Sequence, residues 1–132
     1  MLGPEATAAL DADLVRDFVG NAHGDLEAVR SALADHRTLV NAAWDWGGGD
    51  WETALGAAAH MGRRDIAEIL LAHGARLDVF AAAMLGEVEI VGAVLSAHPE
   101  ARRALGPHGI PLRAHAEAGG KTARAVLELL DG

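Results

Sequence analysis

Apolar residues recur along most of the chain at offsets of three and four, with polar residues between them. That spacing puts one face of a helix in a core. Leu10, Leu14 and Phe18 mark a helix over about Asp11–Ala22, and Leu26, Val29 and Leu33 mark another over about Asp25–Asp35. Ile66, Ile69 and Leu70, flanked by Leu71, form a third stripe. Val88, Val91, Val94 and Leu95 form a fourth, which stops near His98-Pro99 because Pro disfavours helix in the residue before it. Ala123, Val126, Leu127 and Leu130 form the last. Short Ala-rich segments lie between them, at Ala57–Ala59, Ala81–Ala83 and around Ala114–Ala116. β-branched and aromatic runs of the kind that make strands are missing, so the chain is expected to be all-α.

Glycines punctuate this pattern. Gly24, Gly62, Gly86 and Gly119 each follow one helical segment and precede another, at spacings of 38, 24 and 33 residues. Thr53 is placed to cap a helix through its hydroxyl, and Asp25 favours a helix N-terminus. Gly74 suits a left-handed helix end, and Pro111 suits a first helical turn. The pattern predicts one domain over residues 1–132, made of four helix pairs at about 11–36, 50–78, 78–98 and 109–130. Residues 1–9 are expected to be flexible. Unequal spacing belongs in the exposed turns between pairs, which bury least. No room exists for such a finger before Asp78, so the third one is expected to be missing. The expected core includes Leu33, Leu55, Ile66, Ile69, Leu70, Val91, Leu95, Leu112, Val126 and Leu127.

The second pair carries a more specific signal. Thr53, Leu55, Ala58, Ala59, Gly62, Leu70, Leu71, Gly74 and Ala75 fall where the pattern G-x-T-P-L-H-x-A-A-x-x-G followed by L-L-x-x-G-A requires them. Pro111, Leu112, Ala116 and Gly119 repeat part of it. The unit resembles an ankyrin repeat, and the whole resembles a short bacterial-type ankyrin-repeat protein. Ala54 stands for the family's Pro and Gly56 for its His, and the first and third pairs keep only the helices. The resemblance implies an ankyrin-like α-solenoid that binds a protein or peptide partner through its concave groove and fingers. It also implies that the chain is not an enzyme and needs no cofactor.

Composition narrows the partners. The formal net charge is −8 and Lys121 is the one lysine, so no basic face for nucleic acid is expected. The chain has no cysteine, which excludes disulfides and thiolate chemistry. Met1–Leu10 lacks the pattern of a secretory signal, and the longest apolar run, Val79–Leu85, is too short to span a bilayer. A cytoplasmic, monomeric protein without membrane contact is the expectation.

Candidate chemistry concentrates in two places. All three Trp fall within eight residues, in the enlarged finger Asn41–Trp51 that also carries Gly47-Gly48-Gly49. Trp anchors interfaces because it buries a large area and keeps a polar handle. The rings either project as anchors or fold back into the gap left by the missing third finger. The expected partner-binding set is Trp44, Asp45, Trp46, Trp51, Glu52, Met61, His108 and Arg113. The alternative is a small-molecule or metal site, enzymatic or not, in a notch lined by Trp51, His60, His108 and His115. There His60, His108 and His115, with Asp50, would supply zinc-type donors, although no two of the His show tight ligand spacing. Gly119-Gly120-Lys121-Thr122 looks like the end of a phosphate loop. It lacks the earlier Gly and the preceding strand, and reads better as a corner between helices.

Overall fold

The computed structural model describes residues 8–132; most of the N-terminal segment expected to be flexible lies outside them. Eight α-helices pack together among the described residues: α1 Ala12–Asn21, α2 Leu26–Asp35, α3 Ala54–His60, α4 Arg64–Ala72, α5 Val79–Leu85, α6 Val88–Ala97, α7 Leu112–Ala118 and α8 Arg124–Asp131. Short 3-10 turns fill Arg37–Asn41, Pro99–Arg103, Pro107–Gly109 and Gly120–Ala123. None of these helices is long and apolar enough to cross a membrane.

Local chemistry sets the helix starts. Asp11, Asp25, Thr53 and Asp78 each accept a backbone N–H from the residue three further on, which satisfies one of the donors orphaned at a helix N-terminus. Helices α1, α3, α5 and α7 contact one another in succession, and α3 also reaches α7 directly. Ala54, Ala57, Ala58 and Ala59 in α3 and Ala81, Ala82 and Ala83 in α5 are fully buried, because small side chains let these backbones approach closely. The partner helices α2, α4, α6 and α8 supply Val29 and Leu33, Ile66 and Leu70, Val91 and Leu95, and Val126 to the core. Ile69 and Leu127 are only half-buried. In α1 the buried face is Val15, Phe18 and Val19, with Ala22 buried just past its end. The expected stripe of Leu10, Leu14 and Phe18 is rotated by one position, and Leu10 is exposed.

The corner glycines sit between helices, and Gly62, Gly86 and Gly119 are sterically obligatory. At Gly86 (φ 79°) a Cβ would stand 2.1 Å from the Thr122 carbonyl oxygen, and at Gly62 (φ 67°) one would stand 2.5 Å from that of Ala118. The fourth corner is wedged against the second and third so tightly that no side chain fits. Gly119 to Thr122 belong to this corner, with Gly119 against the Met84 carbonyl, and no strand precedes them.

One element departs from the all-α expectation. Ala43–Asp45 and Trp51–Thr53 pair as an antiparallel hairpin, β1 and β2, with Trp44 opposite Glu52 and Asp45 opposite Trp51. Both strands are three residues long, too short for an alternating apolar pattern to register. No hairpin separates α4 from α5: Gly74 turns the chain at φ 95° and Asp78 caps α5 four residues later. The segment Ala104–Pro111 enters the space so left, pinned by a bridge between Leu105 and Pro111.

Candidate metal centre

Four side chains from four parts of the chain converge beside the hairpin. His23 follows α1, Glu52 is the middle residue of β2, His60 ends α3, and His108 lies in the segment before α7. One donor atom from each lies within 4.8 Å of all the others.

Glu52 is the centre of the group and is 1% exposed. Hairpin register puts it on the face of Trp44, turned toward the helices. Glu52 lies two residues before α3, and Gly56 and His60, four apart within it, share one face of that helix. Gly56 has no side chain, and a Cβ there would stand 3.5 Å from Glu52 Cγ. Glu52 therefore folds along this bare strip, and His60 leans back toward it from the end of the helix. The His that the repeat pattern expects at position 56 would occupy the same space.

The contacts have a characteristic geometry. His60 Nε2 is 3.1 Å from Glu52 Oε2, His108 Nε2 is 3.3 Å from the same oxygen, and His23 Nε2 is 3.2 Å from Oε1. Glu52 Oε2 and His60 Nε2 are both buried and neither has a hydrogen-bond partner. Two ligands at the usual zinc distances around one tetrahedral ion are separated by about 3.3 Å. Donor atoms at that separation, gathered within 4.8 Å of one another, are what an ion site needs.

The surrounding groups orient the rings. His23 Nδ1 lies 3.0 Å from the Gly20 carbonyl oxygen, which can only accept, so Nδ1 carries the proton. His108 Nδ1 donates to Asp50 Oδ2 at 2.7 Å, and its backbone N–H donates to Asp50 Oδ1 at 2.8 Å. Both rings thus keep Nε2 for the centre, the arrangement by which carbonyls and carboxylates fix metal-binding imidazoles. His108 holds φ at 62°, a left-handed backbone uncommon outside glycine, and Asp50 clamps both ends of that residue. Trp46 Nε1 donates to Glu52 Oε1 at 2.9 Å, and its ring leans on His23 and His108 with centroids 6.2 and 6.4 Å away.

Electrostatics follow from this packing. Burial pushes the Glu52 carboxyl up, but neighbouring His60, the His23 charge, the Trp46 N–H and the His108 charge outweigh it and hold the group below its ordinary range. Burial pushes His108 down, but the Asp50 bond and the Glu52 and Asp50 charges raise it above its ordinary value. Asp50 is lowered, chiefly by the His108 backbone N–H.

The residues expected from sequence scatter around this centre. His60 and His108 belong to it, while the third imidazole is His23 and the carboxylate is Glu52. Asp50 supports His108 from behind. His115 is fully buried elsewhere, with Nδ1 donating to the Pro111 carbonyl and the ring 4.9 Å from Phe80. Trp44 is half-buried against the core, Trp46 covers the centre, and Trp51 projects from the opposite face of the hairpin, 61% exposed. Asp45 Oδ1 accepts the N–H groups of Gly47 and Gly49 and so shapes the hairpin tip. Met61 is exposed, and Arg113 pairs with Asp131.

Two expectations are overturned here. The finger was expected to present its Trp residues as a patch for a protein partner in an exposed groove; instead the three rings are dispersed, and Glu52, counted in that patch, is buried in a His cluster. The chain was also expected to lack the means for chemistry. Three imidazoles and a carboxylate around one point, with His23 and His108 only partly covered, constitute a potential metal-binding or catalytic site. Comparisons with family models, curated proteins and solved structures found no match.

Proposed function

We propose that this chain binds a divalent transition-metal ion, zinc foremost, through His23, Glu52, His60 and His108. The observation that carries the reading is the pair of buried, unpartnered atoms, Glu52 Oε2 and His60 Nε2, 3.1 Å apart. Leaving such groups unsatisfied is costly, and an ion between them removes the cost. A buried carboxylate also needs a compensating cation, which a dication supplies. Three imidazole nitrogens and one carboxylate oxygen suit zinc and its first-row neighbours; calcium and magnesium want oxygen ligands. A bound ion of this kind supplies Lewis acidity and lowers the pKa of coordinated water. In this chain Asp50 and Gly20 would hold the imidazole tautomers, and Trp46 would hold one Glu52 oxygen in a fixed direction and shield the site. The partly exposed His23 and His108 side is where a small substrate would approach.

The scaffold supports an ankyrin-like reading as well. Helix pairs follow one another, Thr53 caps the second pair, and left-handed glycines fill the corners at Gly62 and Gly86. The missing third hairpin is what admits His108 to the centre.

Metal analysis and calorimetric titration test the site. The protein, stripped with chelator, is expected to take up one equivalent of Zn²⁺ and to melt at a higher temperature when loaded. His60→Ala and His23→Ala are each expected to lose saturable uptake. Equal uptake by the variants and the parent, or none by the parent, would overturn the assignment.

A further inference from the structure

The four donors of the metal centre are held in different ways. Glu52 is fixed in β2, His60 ends α3, and Asp50 clamps His108 at two atoms. His23 lies in the turn between α1 and α2, the kind of connection that moves more than the elements it joins. Its Nδ1 bonds the Gly20 carbonyl, a partner in the same stretch of chain. That bond directs the ring relative to its own turn and does nothing to place the turn against α3. Burial of Ala22 holds the α1 side of the turn to the core. The α2 side needs a separate tether.

Arg63 supplies one. It follows the left-handed Gly62 at the corner between α3 and α4, and its backbone N–H donates to the Ala58 carbonyl at 2.9 Å. Its Nε and Nη2 donate to Asp65 Oδ1 and Oδ2 at 3.0 and 2.8 Å, a side-by-side pairing that fixes the plane of the guanidinium. Asp65 Oδ1 in turn accepts the Ile66 N–H at 2.9 Å in the first turn of α4. The remaining Nη1 donates to the Gly24 carbonyl at 2.8 Å. Among the described residues, this is the one hydrogen bond between the α1–α2 turn and the α3–α4 corner. It ties the residue after His23 to the corner after His60, and the two imidazoles meet edge to face with centroids 5.0 Å apart. The Arg63–Asp65 pair is partly exposed, and pairs of that kind add little to stability. What the fork adds is direction.

We propose that Arg63 is a positioning residue of the metal centre: it latches the His23–Gly24 turn to the α3–α4 corner and so sets His23 Nε2 at coordinating distance from the other donors. The proposal rests on the metal reading above, and Arg63 acts through His23, not on the ion. Lys at this position would keep the charge but lose the rigid fork that aims Nη1 at Gly24. Arg64, next in the chain, serves a different corner: its Nη2 donates to the Leu85 carbonyl at 2.8 Å and to Thr122 Oγ1 at 2.9 Å. It is the natural control, an arginine of the same corner that does not reach the His23 turn.

The test compares Arg63→Gln with Arg64→Gln, each of which keeps a polar side chain and loses a guanidinium. In metal-stripped protein, NMR reads the nuclear Overhauser contact between the His23 and His60 rings. The contact is expected in the parent and in Arg64→Gln, and is expected to weaken or vanish in Arg63→Gln with helix content unchanged. In Zn²⁺ competition titrations, Arg63→Gln is expected to bind about tenfold more weakly than the parent, the low end for groups that orient ligands. Arg63→Lys is expected to fall between the two, and Arg64→Gln to bind like the parent. Losing a positive charge by itself favours a dication, so weaker binding reads position and not charge. An unchanged ring contact in Arg63→Gln, zinc affinity equal to that of the parent, or the same loss in Arg64→Gln would each overturn the proposal. Failure of the parent to bind zinc would overturn the metal reading; the ring contact, measured without metal, still decides whether Arg63 places His23.

Discussion

Glu52 Oε2 and His60 Nε2 face each other at 3.1 Å in the interior, yet no hydrogen bond joins them. Without an ion, the buried carboxylate depends on imidazole charge for compensation, which makes the metal-free fold sensitive to pH in both directions. Glu52 is held below its ordinary range, so its contribution is present above its unfolded value and is lost as pH falls through the depressed folded value. His108 is raised, so its contribution is full below the unfolded value and is lost as pH rises through the raised one. Urea midpoints of stripped protein should therefore pass through a maximum between these limits. Glu52→Gln should flatten the acid limb and weaken the alkaline one. A variant profile parallel to that of the parent would show that the cluster is not coupled in this way.

Asp50 holds His108 from behind at two atoms. Groups in that position typically contribute 10–100-fold to metal affinity, so Asp50→Asn should weaken zinc binding by roughly that factor and leave the stoichiometry at one. A competition titration with a chromophoric chelator measures it. Affinity within twofold of the parent would remove Asp50 from its supporting role.

Gly86 and Gly74 separate two reasons for conserving flexibility at a helix end. Both have positive φ, but a Cβ at Gly86 would collide with the Thr122 carbonyl at 2.1 Å, whereas one at Gly74 meets nothing within 4 Å. Ala at a positive φ costs about 1 kcal/mol. Gly74→Ala should lose about that much, and Gly86→Ala clearly more. Equal losses in denaturant melts would mean that the fourth corner can move away from the third.

Leu70 is completely buried among the first three helix pairs. Leu70→Ala should cost roughly 2–5 kcal/mol through the cavity it leaves. An unfolding midpoint matching that of a surface control such as Glu68→Ala would contradict the packing.

The three Trp should report separately. In single-Trp variants, acrylamide should quench Trp51 readily and Trp44 poorly. Trp46, bonded to Glu52, should change its emission when zinc is added. Identical quenching of Trp44 and Trp51 would be at odds with their placement on opposite faces of the hairpin.

Periodicity made the helix pairs legible, because Ile66–Leu70 or Val91–Leu95 can only share a core face as helix. Corner glycines and capping residues marked the ends for equally local reasons. The His cluster was not legible in this way, because its members come from four segments and no pair has the short spacing of a helical ligand motif. One local signal did exist: Gly56 and His60, four apart, put an empty position and an imidazole on one face of an Ala-rich helix, with the Glu52 carboxylate in the strand just before it. His23 and His108 had no such sign. Their arrival depends on the chain closing at α3 and α7, and on Ala104–Pro111 occupying a gap that sequence located but could not fill. The hairpin was missed because strands of three residues carry too little pattern.

Since α3 touches α7 as well as its nearer neighbours, the turn after α1 and the segment before α7 are brought to the same spot. An ion held there would tie remote segments together, and a nascent or truncated polypeptide ending before position 108 could offer only a partial set of donors. Metal retention would then report that the chain has passed position 108 and that the four segments have assembled.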